Sequence, residues 1–170
     1  MKKQQTKCCS DLLKIKTTEK DKIKDDYATP IHAWEWIKDL IPKNKIIYEP
    51  FYYDGQSGED LKKLGFKNII HKDIDFFEDN NIEYDMILSN PPFSIKQKVF
   101  KRLKELDKPF IIICPCSVLP TQFFQKLFKN QIQIIIPKKR ISFGSNKKGA
   151  WFECFYYCYK MNLKKDITFL

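Results

Sequence analysis

A chain of 170 residues supports one domain with one core, and its 43% hydrophobic and 15% aromatic content is ample to pack that core. The formal net charge of +10 favours a polyanionic partner, because each phosphate contact releases condensed counterions; a lysine-rich genome is the plainer alternative. No run reaches about 18 apolar residues and the lysine-bearing N-terminus has no apolar signal core, so an intracellular protein without a membrane partner is expected.

The six cysteines are Cys8, Cys9, Cys114, Cys116, Cys154 and Cys158. None forms a C-x-x-C pair, and two histidines are too few to complete a zinc module, so no metal is expected. Buried, reduced thiols are the simpler reading.

In chain order, residues 1–24 are polar and lysine-rich without periodicity. They predict a basic arm that either touches phosphates or is merely solvated. The ordered domain is expected over 25–170. Thr29 is placed to cap a helix with Pro30 in its first position, running from Ile31 to Ile41 with Trp34, Ile37 and Ile41 on one face. A strand over Lys45–Glu49 leads into a loop with Gly55 and Gly58. A helix over Ser57–Leu64 then ends at Gly65. Strands follow at Phe66–His71 and up to Asn90, and a helix over Ser94–Leu106 carries Ile95, Val99, Leu103 and Leu106 at helical spacing. Phe110–Cys114 reads as a strand covered on both faces. Pro120–Lys129 reads as a helix, with strands at Ile132–Ile136 and Trp151–Met161. Strands alternate with helices until the last two strands, which predicts a mostly parallel α/β sheet finished by an antiparallel hairpin.

Three stretches carry chemistry. The loop after Lys45–Glu49 combines an acidic residue with Gly55 and Gly58 ahead of a helix, which suits a ligand with hydroxyls and a closely approaching backbone. It is neither G-x-G-x-x-G nor a P-loop, and glycine in such loops also has purely geometric uses. Asp73 and Asp75 follow the next strand, where a carboxylate either accepts from a ribose diol or caps a turn. The third stretch is Asn90-Pro91-Pro92-Phe93 at a strand end. Its prolines make the loop rigid. The Asn90 side chain and the Pro91 carbonyl can accept both protons of an exocyclic amine, drawing its nitrogen toward tetrahedral geometry and freeing a lone pair. Positioning and oriented dipoles then supply the catalysis, and Phe93 offers a face for a base swung out of its helix. A rigid turn with no chemistry is the alternative.

These residues resemble the class I S-adenosylmethionine-dependent methyltransferases that act on adenine amines, above all small viral and phage DNA N6-adenine methyltransferases. Asn90-Pro91-Pro92-Phe93 matches their catalytic [DNS]-P-P-[YFW] pattern. The segment from Tyr48 to Gly55 is similar to the cofactor motif D-P-F-x-G-x-G, with Glu49 for the aspartate and Tyr53 at the first glycine. Tyr27-Ala28-Thr29-Pro30 is similar to their Tyr-x-Thr-Pro segment. The resemblance spans about Asp25 to Tyr159 and implies a Rossmann-like methyltransferase fold, shortened in the middle because Gly65–Asn90 is brief. It implies S-adenosylmethionine as cofactor, held by Tyr27, Thr29, Pro30, Glu49, Phe51, Asp54, Gly55, Ser57 and Asp73 or Asp75, with Asn90, Pro91, Pro92 and Phe93 catalytic. Lys138, Lys139, Arg140, Phe143, Lys147 and Lys148 lie on or beside a hairpin that borders the substrate cleft in this family. There they either contact nucleic acid, with DNA favoured over RNA, or form a solvated tip. No separate target-recognition domain is visible, so loops, the arm, a second copy or a partner subunit would have to supply recognition. An RNA adenine methyltransferase, or an accessory subunit with weak catalysis, is the alternative.

Overall fold

The structure is a computed structural model that describes residues 27–78, 81–143 and 152–170. The predicted arm over 1–24, Lys147, Lys148 and Trp151 lie outside the described residues.

Seven strands form one sheet: β1 (Ile47–Tyr48), β2 (Ile69–Ile70), β3 (Met86–Ser89), β4 (Phe110–Pro115), β5 (Ile132–Ile136), β6 (Cys154–Tyr159) and β7 (Ile167–Phe169). Their order is β2-β1-β3-β4-β6-β5-β7. β2, β1, β3 and β4 are mutually parallel, β6 is antiparallel to both β4 and β5, and β7 is parallel to β5. Only β6 therefore runs against the rest. This is the expected α/β architecture, Rossmann-like in its strand order: a mostly parallel sheet with an antiparallel β5–β6 hairpin. The sheet is shortened on the β2 side, because residues 71–85 cross from β2 to β3 with no strand or helix among those described.

Helices α1 (Ile31–Glu35), α2 (Gln56–Lys63), α3 (Lys96–Leu106) and α4 (Gln122–Phe128) join these strands. α3 buries Val99 and Leu103, as the helical spacing predicts, together with Phe100, while Ile95 and Leu106 of the predicted stripe are half-buried. All six residues of β4 are buried, as a strand covered on both faces requires. Phe100, Phe110, Phe124, Phe128 and Tyr157 interlock mostly edge to face, the arrangement that ring quadrupoles favour. Two buried tyrosines of β6 satisfy their hydroxyls on main-chain carbonyls, Tyr156 on Ala33 at 2.7 Å and Tyr157 on Pro115 at 2.8 Å. The first ties α1 to the sheet.

Two local expectations change. The helix expected over Ile31–Ile41 is broken, with α1 ending at Glu35 and a 3-10 turn over Lys38–Leu40. Tighter turning still brings Trp34, Ile37 and Ile41 into the core. Pro30 is the N-cap itself, and no side chain caps the helix, so Thr29 does not have the predicted capping role. β7 was not expected at all. Three residues, two of them exposed, are too few for a period-2 signal.

Candidate active site

In a doubly wound sheet, ligands bind outside the carboxyl ends of the strands where the order reverses. Here the chain leaves β1 toward β2 on one side and returns to β3 on the other. The crevice between the ends of β1 and β3 is the switch point. A cleft opens there, and three separate segments wall it: Tyr27–Thr29, the loop from Glu49 to Ser57, and Asn90–Pro92. Sequence positions up to 63 apart are thus brought within hydrogen-bonding distance.

The amide nitrogen of Asn90 donates to the main-chain carbonyl of Tyr27 at 2.8 Å. Only the nitrogen can donate to a carbonyl, which fixes the orientation of the amide. Its Oδ1 is then buried with no hydrogen-bond partner among the described residues. A buried acceptor left unmade costs about 1–3 kcal/mol, and folded proteins hold few such groups without a reason. Pro91 is buried, and Pro92 is extended before the 3-10 turn Phe93–Ile95. The loop has little freedom to redirect that oxygen.

Glu49 is only 2% exposed. Its carboxylate Oε1 accepts from the Ser89 hydroxyl and from the Phe51 amide at 3.2 Å. Burial pushes its pKa up, while the Ser89 hydrogen bond leads the influences that hold it down. Ser57 also steadies this charge, yet its own hydroxyl is buried outside hydrogen-bonding geometry.

The loop geometry accounts for the glycine pattern. Tyr53, at the position of the first motif glycine, has φ +49°. That left-handed conformation costs a residue with a Cβ about 1–2 kcal/mol. The backbone thus keeps the turn that glycine would make, with the Tyr53 side chain 64% exposed at the edge of the cleft. Gly55 has φ +81°, and a Cβ there would lie 3.0 Å from the Tyr52 hydroxyl. At Gly58 a Cβ would lie 2.6 Å from the His71 ring.

Of the residues expected to hold a cofactor, Tyr27, Thr29, Glu49, Phe51, Asp54 and Ser57 line the cleft, as do Asn90, Pro91 and Pro92. Pro30 and Gly55 instead serve as the N-caps of α1 and α2. Asp73 and Asp75 are exposed and do not line the cleft; Asp75 caps a local turn, accepting from the Phe77 amide at 2.8 Å. His71 stands directly after β2 instead. Its Nδ1 donates to the Glu49 carbonyl at 3.0 Å, and its Nε2 is buried without a partner among the described residues. His71 does not itself line the cleft and acts behind it, on the Glu49 main chain and against Gly58. Ala28 and Gln56, unforeseen in the sequence, complete the walls.

Phe93 is 6% exposed. Its ring packs on Tyr27, Phe143 and Phe152 at centroid distances of 5.2, 5.8 and 5.4 Å. The face that would receive a base is covered in this state. Phe143 belongs to the same buried cluster and is not a surface contact. Lys138, Lys139 and Arg140 are exposed, with Arg140 paired to Glu153 at 2.5 Å.

Among the described residues no group of three or more His, Cys, Asp or Glu side chains is placed to hold a metal, and no helix is long and apolar enough to cross a membrane. No family model and no curated protein matches the chain. Among solved structures, a Thermoplasma acidophilum protein provisionally named a methyltransferase is 8% identical, with a TM-score of 0.37 over 72% of this chain. The chain spans 59% of that protein's length. A likeness this distant bears on neither substrate nor reaction.

Proposed function

We propose that the protein is an S-adenosylmethionine-dependent methyltransferase acting on the exocyclic N6 amine of adenine in DNA. The observation that carries this reading is the buried, unpartnered Oδ1 of Asn90, held on a Pro-Pro loop at the switch-point cleft. An amine N–H is the donor it lacks. The cleft also suits the cofactor, since the buried Ser57 hydroxyl and the Glu49 carboxylate stand where a polar ligand's hydroxyl and amino groups would find partners. When bound, S-adenosylmethionine supplies a methyl group on a sulfonium, a strong electrophile. Asn90 Oδ1 and the Pro91 carbonyl accept the amine protons and orient the nitrogen lone pair. The cleft is open to solvent, which takes the proton that the methylated amine gives up. Catalysis then comes from positioning and fixed dipoles, with no strong base.

The test is methyl transfer to double-stranded DNA, single-stranded DNA and RNA measured side by side. Transfer to adenine N6 in DNA is expected, and transfer to RNA alone would replace DNA by RNA as substrate. Tyr53 at the first motif glycine favours a second reading, an accessory nucleic-acid-binding subunit with weak catalysis. Calorimetry separates the two: absence of cofactor binding at high micromolar concentration favours the accessory subunit.

A further inference from the structure

Successive residues of a strand point to opposite faces, so Tyr48 turns away from the cleft that Glu49 lines. On its own side Tyr48 borders a second cavity of about 150 Å³. Phe76, Ile82, Tyr84 and Leu106 form its apolar wall. The Tyr48 ring stands 5.0 Å from that of Tyr84 and 6.4 Å from that of Phe76.

Two polar atoms at this cavity lack partners. Tyr48 is 3% exposed, and its hydroxyl makes no hydrogen bond among the described residues. Arg102 also lines the cavity, and its Nε is buried with no acceptor among the described residues. The rest of the guanidinium is weakly engaged: Nη2 donates to the Glu78 carbonyl at 3.3 Å, and Nη1 lies 3.9 Å from exposed Glu105. A long, exposed pair of that kind is worth little. Burial pushes Tyr48 up to about 12, which keeps the phenol a donor. An arginine Nε can only donate. Glu78 and Lys108 also line the cavity; with Arg102 its charged lining is net positive, and two unmet donors, one on a permanent cation, call for an acceptor with negative charge. A carboxylate offers two oxygens in the right relation to a guanidinium edge. A cavity of this volume also has room for a benzene-sized body, which the apolar wall favours over a bare inorganic anion.

We propose that this cavity is a second ligand site, taking a small organic carboxylate with a ring-sized apolar body, and that Tyr48 and Arg102 are its two donors. The proposal is independent of the methyl-transfer reading. The test is calorimetric titration of the full chain with benzoate, acetate and inorganic phosphate, in wild type, Tyr48→Phe and Arg102→Met. Benzoate should bind saturably with a dissociation constant of about 1 mM or tighter, with acetate and phosphate each weaker by about tenfold or more. Each substitution should weaken benzoate by about tenfold. Without ligand, Tyr48→Phe should melt no lower than wild type, because it removes only an unmet hydroxyl. No saturable benzoate binding, or affinity unchanged in both variants, overturns the site. Phosphate binding more tightly than benzoate overturns the ligand class.

Discussion

The side-chain amide of Asn90 donates to the main-chain carbonyl of Tyr27 at 2.8 Å, across 63 positions of sequence. One hydrogen bond does two things. It docks the segment ahead of α1 against the loop after β3, and it turns Asn90 Oδ1 away from that carbonyl. The ring of Tyr27 lies on Phe93 at the same place, so docking of the segment and covering of the Phe93 face are linked.

Asn90→Ala should therefore lose methyl transfer by at least about a hundredfold, the usual scale for one oriented hydrogen-bonding group, while calorimetry shows cofactor affinity within a few-fold. Asn90→Asp keeps an acceptor but sets a carboxylate oxygen against the Tyr27 carbonyl. It should cost about 1–3 kcal/mol in denaturant unfolding. Wild-type turnover in Asn90→Ala would remove this residue from the chemistry.

Glu49 sets a pH dependence. Its raised pKa means that the folded protein holds this proton more tightly than the unfolded chain. Stability is thus lost as pH climbs from the ordinary value of 4.5 through the raised one. Glu49→Gln, which keeps an acceptor for Ser89 and Phe51, should flatten this part of the melting-temperature profile. Parallel profiles for the two proteins would count against a destabilising buried carboxylate.

Tyr53 in the loop after β1 and Gly58 in the first turn of α2 should respond in opposite directions. Tyr53→Gly relieves a left-handed residue, a gain of about 1–2 kcal/mol offset by about 0.5–1 kcal/mol of glycine entropy. It should unfold at equal or higher denaturant concentration. Gly58→Ala drives a Cβ into the His71 ring and should cost about 1–3 kcal/mol. If Gly58→Ala proves neutral, the close packing of α2 on His71 is not a constraint.

The basic hairpin should divide unequally. Lys138→Ala with Lys139→Ala should lower the salt slope of DNA binding by about 2, near 0.9 for each phosphate left without its lysine. Arg140→Ala should change it far less, because Glu153 already holds that charge. Equal slopes in wild type and the double lysine variant would move the phosphate-binding surface elsewhere.

The sheet was legible because its strands and helices differ in period. Phe110–Pro115 is continuously apolar and central, whereas Lys96–Leu106 repeats its apolar residues at helical spacing. Boundaries and short elements were less legible. The break after Glu35 and the edge strand Ile167–Phe169 are set by packing against distant residues rather than by local pattern.

The site shows the same division. Sequence alone determined that Asn90-Pro91-Pro92 ends a strand and that an acidic, glycine-bearing loop follows β1, since strand periodicity and proline rigidity are local properties. Whether those loops meet depends on strand order, and only the tertiary structure supplied it by placing β1 beside β3. Tertiary packing also decided which atoms were left without partners. Burial withdraws water, and a neighbour such as the Tyr27 carbonyl takes one end of a side chain and leaves the other unmet. By this route Asn90 Oδ1 became an open acceptor, Asp73 and Asp75 stayed outside the cleft, and Phe93 came to lie under Tyr27.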